Sequence, residues 1–373
     1  MNIIINKYKK QIIVAYVLVL AFSYKGLCQS YPIINLDKVS MTELPEKQKE
    51  DPIPSDVLLF NDIVKIKAKS ITPYTFDYFP AHQFLNILNG TVFVDLDKKH
   101  CAYDLGTADK IPNASISSYF QYTVREFSLR KYTKNDLYKS MFGEYPSKIE
   151  HYIASIDQAT GDTLWVEQKE YLTIRQAETV SYIDNITDNF IIDNKTGKKL
   201  FKLISSKPFN ISDIKEDHGY LYLMKNGASG SELISLNLKQ SEIVWKLKGY
   251  FNSFFIDENK IYTSNHCAID KITGKLIWSN NSNIRIVGIV GNYLIGYLYL
   301  GEDDPEIYAY DKNTGKLAGY LWADNDFCTS CLGYESCNPS YIFAEQGEGN
   351  KTAALIKCTD GVYLYIFEVV NKN

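Results

Sequence analysis

One pattern of eleven residues recurs along the chain and constrains its fold more than any other feature. The residues that define its fullest copy are Ala268, Asp270, Thr273, Gly274, Lys275 and Trp278. Five further copies keep the same phase and lose some of these residues. A single copy would be an ordinary hairpin, but six copies in register indicate a repeat architecture.

Each copy contains a turn whose first residue is an aspartate or an asparagine. The turns begin at Asp104, Asp157, Asp193, Asn237, Asp270 and Asp311. The pairs that follow in the better copies are Thr160-Gly161, Thr196-Gly197, Thr273-Gly274 and Thr314-Gly315. Asp accepts hydrogen bonds from backbone amides two or three residues later, and Gly adopts the left-handed conformation, so the order predicts a short bulged hairpin. Because these carboxylates repeat, we expect them to be structural rather than catalytic.

An aromatic residue stands eight positions after the turn residue in four copies. These aromatics are Trp165, Phe201, Trp245 and Trp278. Such rings are large enough to pack on a neighbouring unit. The other copies decay: Gln240-Ser241 replaces the Thr-Gly pair, and Gly319 stands where the last aromatic would be.

The spacing of the copies identifies the architecture. The threonine-equivalent positions lie 53, 36, 44, 33 and 41 residues apart, about 41 on average, and propeller blades repeat every ~40–45 residues. Helical repeats are disfavoured because the units alternate with period two and are rich in Tyr, Ile, Val and Thr. The sequence predicts an all-β fold, a β-propeller of four-stranded antiparallel blades. Its span favours seven blades, with six or eight as alternatives.

The fullest copy resembles the pyrroloquinoline-quinone-like propeller repeat, the quinoprotein type. The resemblance extends over residues 84–322. In repeat type and approximate length the chain is also similar to the propeller lipoproteins of the bacterial outer-membrane barrel-assembly machinery. These likenesses imply a non-catalytic exported bacterial member of the repeat family.

The N-terminus has the features of a targeting segment. Three lysines precede an unbroken apolar run, residues 12–22, and Gly26-Leu27-Cys28 follows. The run is short for a membrane span, so residues 1–28 are predicted to be a cleaved secretory signal. An uncleaved anchor is one alternative. Lipidation of Cys28 is another, disfavoured because Leu27 is not small.

The remaining chain is predicted to consist of a leader and one domain. Residues 29–55 are polar and are expected to be flexible. Residues 56–373 are then a single propeller domain, in which the strand at 57–63 pairs with the last strand, 363–370, and closes the ring. No transmembrane span is expected in the mature chain, and the predicted location is the periplasm or cell surface, with outer-membrane attachment if Cys28 is lipidated.

Six cysteines follow the predicted signal, and an even number in an exported protein suggests disulfides. Cys328, Cys331 and Cys337 form a local cluster, for which a structural disulfide is favoured over an unpaired or metal-bound set and over a redox site. No histidine lies near them to complete a zinc site. Cys101 and Cys267 share one repeat position and are expected to be buried thiols.

Two other groups have both a functional and a structural interpretation. His100 and His266 share a repeat position, so they would converge on the central channel, although hydrogen bonding at a strand edge is favoured. The acidic loop 301–306 would offer carboxylates to calcium, although it lacks the spacing of a known calcium loop and a solvated hairpin is favoured. We therefore assign no catalytic, cofactor-binding or metal residues and expect no cofactor.

The function is less constrained than the fold. The 40 basic and 44 acidic residues nearly balance, so the sequence indicates no nucleic-acid surface.

We expect an exported, non-catalytic scaffold that engages a protein or glycan at the cell envelope. A quinone-dependent dehydrogenase is the alternative, but such enzymes are longer, are typically eight-bladed and carry paired cysteines and calcium ligands not found here. A propeller hydrolase or lyase has no supporting motif, and the fold alone does not separate these classes.

Overall fold

The computed structural model describes residues 32–37, 42–43, 64–74, 83–96, 99–107, 109–112, 121–131, 148–168, 173–184, 189–227, 230–280, 284–298, 306–321, 341–358 and 361–371. Every regular element in these ranges is a strand. In chain order the strands are β1 (Ile33–Asn35), β2 (Thr42–Glu43), β3 (Val64–Tyr74), β4 (Gln83–Leu88), β5 (Thr91–Leu96), β6 (Lys99–Asp104), β7 (Lys110–Ile111), β8 (Tyr122–Lys131), β9 (Lys148–Asp157), β10 (Thr163–Gln168), β11 (Thr173–Gln176), β12 (Val180–Asp184), β13 (Asn189–Asp193), β14 (Lys199–Ile204), β15 (Asn210–Asp217), β16 (Tyr220–Gly227), β17 (Gly230–Asn237), β18 (Glu242–Gly249), β19 (Phe254–Ile256), β20 (Lys260–Thr263), β21 (Cys267–Asp270), β22 (Leu276–Ser279), β23 (Arg285–Val290), β24 (Tyr293–Leu298), β25 (Glu306–Asp311), β26 (Leu317–Leu321), β27 (Tyr341–Phe343), β28 (Lys351–Cys358) and β29 (Gly361–Asn371).

Hydrogen bonds join these strands into sheets of sequence neighbours. Sheet 1 is β4–β7, sheet 2 is β8–β10, sheet 3 is β11–β14, sheet 4 is β15–β18, sheet 5 is β19–β22, sheet 6 is β23–β26 and sheet 7 is β27–β29. Three strands from the N-terminal part of the chain complete the pattern: β1 joins sheet 3, β2 joins sheet 4 and β3 joins sheet 7. The predicted all-β propeller is confirmed.

Four-stranded antiparallel blades are observed only in part. Six sheets have four or five strands, and sheet 2 has three within the described residues, so six full blades are described rather than seven. Sheets 3 and 4 gain a fifth, outer strand that runs parallel to its neighbour. These additions come from a segment too short and too polar to show strand periodicity.

The hydrophobic core lies between successive sheets rather than within one centre. Separate clusters of buried residues join sheets 2 and 3, 3 and 4, 4 and 5, 5 and 6, and 7 and 1. Between sheets 6 and 7, β26 lies against β3 and the amide of Ile289 donates to the carbonyl of Glu345. Each sheet therefore depends on its neighbours for burial, as repeat proteins do.

The segment predicted to be a flexible polar leader is partly ordered against sheets 3 and 4. β1 pairs with β14, and Ile34 and Leu36 enter the core cluster between the two sheets. Lys246 Nζ donates to the Leu36 carbonyl across 2.6 Å, and the Ser206 amide donates to Asp37 across 2.5 Å. Two buried apolar side chains and an exposed strand edge are enough to hold this short part of the segment.

The strand that pairs with the end of the chain begins after the predicted one. β3 forms an antiparallel ladder with β29, from Val64 opposite Asn371 to Tyr74 opposite Val362. The predicted strand at 57–63 lies outside the described residues. So do residues 1–28, including Cys28, the acidic loop at 301–305, and Cys328, Cys331 and Cys337.

Candidate functional site

The turn residues of the repeat form a hydrogen-bonded turn of the same kind in each copy. The turn that begins at Asp270 shows it most completely. The Asp270 carboxylate accepts hydrogen bonds from the Thr273 amide and hydroxyl, both at 2.7 Å. The Gly274 amide donates to the Asp270 carbonyl at 2.9 Å, and the Asp270 amide donates to the Lys275 carbonyl at 2.8 Å. The strand register shifts between Ala268 and Ile269, which makes the hairpin bulged.

The other copies repeat this geometry with small departures. The carboxylates of Asp104, Asp157, Asp193 and Asp311 accept from the amides of Thr107, Thr160, Thr196 and Thr314, and the Asn237 amide oxygen accepts from Gln240. Bonds from the Thr273 hydroxyl and amide hold the pKa of Asp270 below its ordinary value, and bonds from the Thr107 amide do the same for the pKa of Asp104. These carboxylates are engaged by their own turns, so they are poor candidates for acid–base chemistry.

The three tryptophans of the repeat lie on the turn of the following sheet. The indole N–H of Trp245 donates to the Lys271 carbonyl at 3.1 Å, and that of Trp165 donates to the Asn194 carbonyl at 2.9 Å. Trp278 repeats the contact with the Lys312 carbonyl at 3.3 Å. In each case the ring covers the glycine of that turn, where a Cβ would approach it to 3.0 Å or less.

Where a sheet lacks the tryptophan, the turn of the following sheet lacks a glycine covered by an indole ring. Phe201 is fully buried between sheets 3 and 4, and the turn of sheet 4 has Ser241 with φ 54° where sheets 2, 3, 5 and 6 have glycine. Sheet 1 has no aromatic at the equivalent position, and nothing lies within 4 Å of a Cβ built on Gly161 in sheet 2. The glycine of a turn therefore serves two purposes, a left-handed backbone and room for the indole from the preceding sheet.

Lysines that directly follow two of the turn aspartates link the same turns to neighbouring hairpins. Lys271, directly after the turn Asp270, is buried and its Nζ lies 2.5 Å from an Asp217 carboxylate oxygen in sheet 4. Lys312, at the same position of sheet 6, lies 2.8 Å from Asp257 in sheet 5. The sequence analysis missed both pairs, although a lysine directly after two of the turn aspartates was a visible signal.

A loop of sheet 7 crosses toward the first strands of several sheets. The segment Glu345–Glu348, called the crossing loop, joins β27 to β28. Within it, Gln346 Nε2 donates to the Ile256 carbonyl of sheet 5 at 2.8 Å, and the Gly347 amide donates to Ile289 of sheet 6 at 2.7 Å. Glu348 accepts from the Gly90 amide of sheet 1 at 2.5 Å, and Glu345 is ion-paired with Lys215 of sheet 4.

The crossing loop places charged groups near the ends of the first strands. Lys215 lies 3.6 Å from the Asp213 carboxylate and 5.4 Å from the centre of the Phe254 ring. Burial raises the pKa of Asp213 to about 6, opposed by the positive charge of Lys215 and reinforced by the negative charge of Glu345. These groups and the loop therefore lie against the first strands of sheets 4, 5 and 6.

One side chain in sheet 3 substitutes for backbone pairing in sheet 2. The Gln176 amide oxygen accepts from the Val124 amide at 2.9 Å, and its nitrogen donates to the Tyr122 carbonyl at 2.5 Å. Among the described residues, no strand pairs with this edge of β8, where the four-stranded sheets have their first strand. The contact ties sheets 2 and 3 together at their inner ends.

The remaining candidates from the sequence have structural positions. His266 is fully buried, with its ring 4.1 Å from that of Tyr310 and 5.6 Å from that of Trp278, so it packs between sheets 5 and 6. Cys267 is a buried thiol 3.4 Å from the Ser279 hydroxyl, and Cys101 is a half-buried thiol. The side chain of His100 lies outside the described residues.

The exposed apolar residues of the outer strands are the remaining candidate surface. They are Leu164 and Val166 on β10, Val244 on β18, and Leu276 and Ile277 on β22. Over the described ranges, no three His, Cys, Asp or Glu side chains are grouped so as to hold a metal ion. In those ranges, no helix is long and apolar enough to cross a membrane.

Comparison with known proteins gives similarity to several propellers. No protein-family model matches the chain, and the search of curated proteins gives no match. The chain is similar to BamB from Moraxella catarrhalis, with 9% identity over 81% of this chain and 100% of that one, and a TM-score of 0.39. It is also similar to the propeller domain of the Trilobed protease from Pyrococcus furiosus, with 11% identity over 61% and 79% of the two chains and a TM-score of 0.41. A third similar structure is the Cps50 (Swd1) propeller domain of Myceliophteria thermophila, with 10% identity over 82% and 100% and a TM-score of 0.46.

Proposed function

We propose that this chain is an exported, non-catalytic scaffold propeller that binds a protein partner at the cell envelope. The observation that supports this most is a contrast between two sets of residues. The polar side chains of the repeat are engaged by the fold itself, as with Asp270 in its turn and Lys271 with Asp217. The outer strands instead expose apolar side chains such as Val166 and Ile277.

We also propose that the sheets are blades of one ring of quinoprotein-type repeats. The pairing of β3 with β29 supports closure of the ring by the N-terminal part of the chain. Sheet 2 would be a seventh, reduced blade, and its contacts with sheet 3 through Trp165 and Gln176 support that position. The propeller domain then includes the strap, defined as residues 32–37 and 42–43, which packs on sheets 3 and 4.

Export is proposed from residues 1–28, whose lysines and apolar run resemble a secretory signal. The periplasm or cell surface is the expected location, with attachment to the outer membrane if Cys28 is lipidated. N-terminal sequencing and intact mass of protein from the native envelope test this. A chain starting at Gln29 supports cleavage, a lipid-modified Cys28 supports attachment, and an intact Met1 in the cytosolic fraction would refute export.

The binding function is tested in the cell with a photo-crosslinking residue placed on the outer strands. Positions 166 and 277 are exposed and apolar, and position 239, an exposed lysine in a turn of sheet 4, is the control. We expect a discrete protein adduct from at least one outer-strand position and none from the control. A glycan array run in parallel detects a glycan partner, which would correct the class of ligand.

The quinone-dependent alternative is tested by adding the quinone and calcium to the purified protein. The proposal expects no bound chromophore, and it assigns no catalytic, cofactor-binding or metal residue. A stable quinone spectrum together with oxidation of an alcohol or sugar would overturn the proposal in favour of an enzyme.

A further inference from the structure

We propose that the crossing loop is a latch on sheet 4 that tightens when the Asp213 carboxylate binds a proton. The loop belongs to sheet 7, and the latch is its ion pair between Glu345 and Lys215. The latch is separate from the outer strands proposed to bind a partner. It gives the propeller an internal contact that responds to mildly acidic surroundings.

The crossing loop reaches beyond the sheets that neighbour its own. Within the described residues, the core cluster of sheet 7 is shared with sheet 1, and β26 of sheet 6 lies against β3. The loop extends further, because Gln346 donates to the Ile256 carbonyl of sheet 5 and Glu345 is ion-paired with Lys215 of sheet 4. It therefore connects sheet 7 to two sheets that are not its neighbours.

The backbone of the loop is held closely on sheet 6. The Ile289 amide donates to the Glu345 carbonyl at 2.9 Å, and the Gly347 amide donates to the Ile289 carbonyl at 2.7 Å. A Cβ on Gly288 would lie 2.7 Å from the Ala344 carbonyl oxygen, so the glycine permits this approach. The contact with sheet 4 is of a different kind, because it depends on charged side chains.

One ammonium group is shared between two carboxylates at this contact. Lys215 Nζ lies 3.6 Å from an Asp213 carboxylate oxygen and is also ion-paired with Glu345. Asp213 and Lys215 are two positions apart on β15, so their side chains leave the same face of sheet 4. The Phe254 ring of sheet 5 lies on that face, with its centre 5.4 Å from Lys215 Nζ.

Protonation of Asp213 changes the charge around Lys215. With both carboxylates ionised, two negative charges compete for one ammonium group and disfavour each other. With Asp213 neutral, Lys215 pairs with Glu345 alone. The effect is reciprocal, so a proton on Asp213 favours the attached loop and the attached loop favours the proton. Burial, reinforced by the charge of Glu345 and opposed by that of Lys215, raises the pKa of Asp213 to about 6.

Sheet 3 carries two further charged groups on strands that pack against β15. β11 carries Arg175, whose Nε donates to the Ser212 carbonyl at 2.9 Å, and β12 carries Asp184. Within sheet 4, the residue opposite Asp213 is the uncharged Met224. Neutralising Asp213 itself therefore separates its titration from that of the surrounding groups.

The latch is tested by hydrogen exchange at residues 345–348 of the full chain, expressed as protection factors from pH 8 to 5. In the wild type we expect protection to rise about fivefold as the pH falls through 6, the lower end of ordinary coupling between two sites. Asp213→Asn mimics the protonated carboxyl, so protection should be high at every pH. Glu345→Gln removes the charge that Lys215 holds, so protection should be low at every pH.

Glu348→Gln is the matched control, because Glu348 lies in the same loop and contacts the Gly90 amide of sheet 1 instead. It should keep the rise in protection. Loss of the rise in this variant would overturn the proposal, since the effect would then not belong to the contact with sheet 4.

Two other results would also overturn the proposal. One is loop protection that stays constant or falls as the wild type is acidified. The other is a rise that Asp213→Asn or Glu345→Gln retains, because another group would then be responsible. The Glu345 side chain is exposed, so Glu345→Gln is expected to fold even if Asp213→Asn does not. Unchanged exchange at residues 221–224, in the core of sheet 4, verifies that each variant is folded.

Discussion

Trp245 of sheet 4 lies directly over Gly274 of sheet 5. A Cβ built on Gly274 would come within 2.6 Å of the indole ring, and the ring nitrogen donates to Lys271 in the same turn. The turn that shapes one hairpin is therefore also the surface on which the preceding sheet packs. The pattern of eleven residues therefore specifies a contact between neighbouring sheets as well as the local conformation of the turn.

Gly274→Ala should destabilise the protein more than Gly161→Ala. Both glycines have positive φ, 68° and 77°, so each alanine pays a left-handed backbone cost of ~1–2 kcal/mol. Only Gly274 is covered by a ring, and the clash should add ~1–3 kcal/mol. Denaturant unfolding of the two variants measures the difference. Equal losses would show that the indole contact does not constrain this position.

Leu36→Ala should destabilise the protein by ~2–5 kcal/mol, because Leu36 is fully buried between sheets 3 and 4. Ile33→Ala in the same strand is the control. Ile33 is 65% exposed, so its loss should change the free energy of unfolding by no more than ~0.5 kcal/mol. If both variants unfold at the wild-type midpoint, the strap does not contribute to stability.

Stability should rise as the pH falls through about 6 toward 5, through the titration of Asp213. Its folded pKa of about 6 lies above the unfolded value near ~4, so the charged form is disfavoured in the fold and protonation stabilises it. Lys215 and Glu345 are the charged groups that face it. The side chain is 28% exposed, so solvent limits the size of the effect.

Asp213→Asn should flatten that rise in unfolding free energy between pH 8 and 5. Asp270→Asn is the control, and it should keep the rise. The pKa of Asp270 is lowered in the fold, so its contribution is present above pH ~4 and is lost only on further acidification. An unchanged pH profile for Asp213→Asn would exclude this carboxyl as the titrating group.

A chain that begins at residue 75 should fail to fold to a soluble monomer, whereas a chain that begins at residue 64 should fold. Both lack the strap, so the comparison isolates β3, which forms a ladder with β29 from Val64 to Tyr74. Loss of β3 exposes the edge of β29, and exposed edges promote aggregation. Soluble yield and sedimentation report the outcome, and equal behaviour of the two chains would show that β3 is dispensable for closure.

Protein purified from an oxidising compartment should contain a disulfide among Cys328, Cys331 and Cys337. Their closeness in sequence motivates this expectation. Alkylation without reductant followed by mass spectrometry should leave two of the three unmodified. Alkylation of all three would refute the disulfide.

The turns could be predicted from the sequence because their interactions are local. Asp270 bonds with Thr273, three residues away, and Gly274 closes the same turn. Such contacts depend on residue type and spacing alone, so a repeated motif specifies them wherever it occurs. The six-fold recurrence at about 41 residues also determined the propeller class, since ~40–45 residues is the length of one blade.

The strap, the crossing loop and the ion pairs between sheets were decided only by the tertiary structure. β1 has three residues, too few for a periodic signal, and it is held by an edge of β14 far along the chain. Lys215 and Glu345 are 130 residues apart, and Lys271 meets Asp217 across two sheets. None of these partners shares a local pattern with the other. They meet because sheets that must bury their faces against neighbours bring distant strand ends and edges together, and only then do unpaired backbone groups and charges find each other.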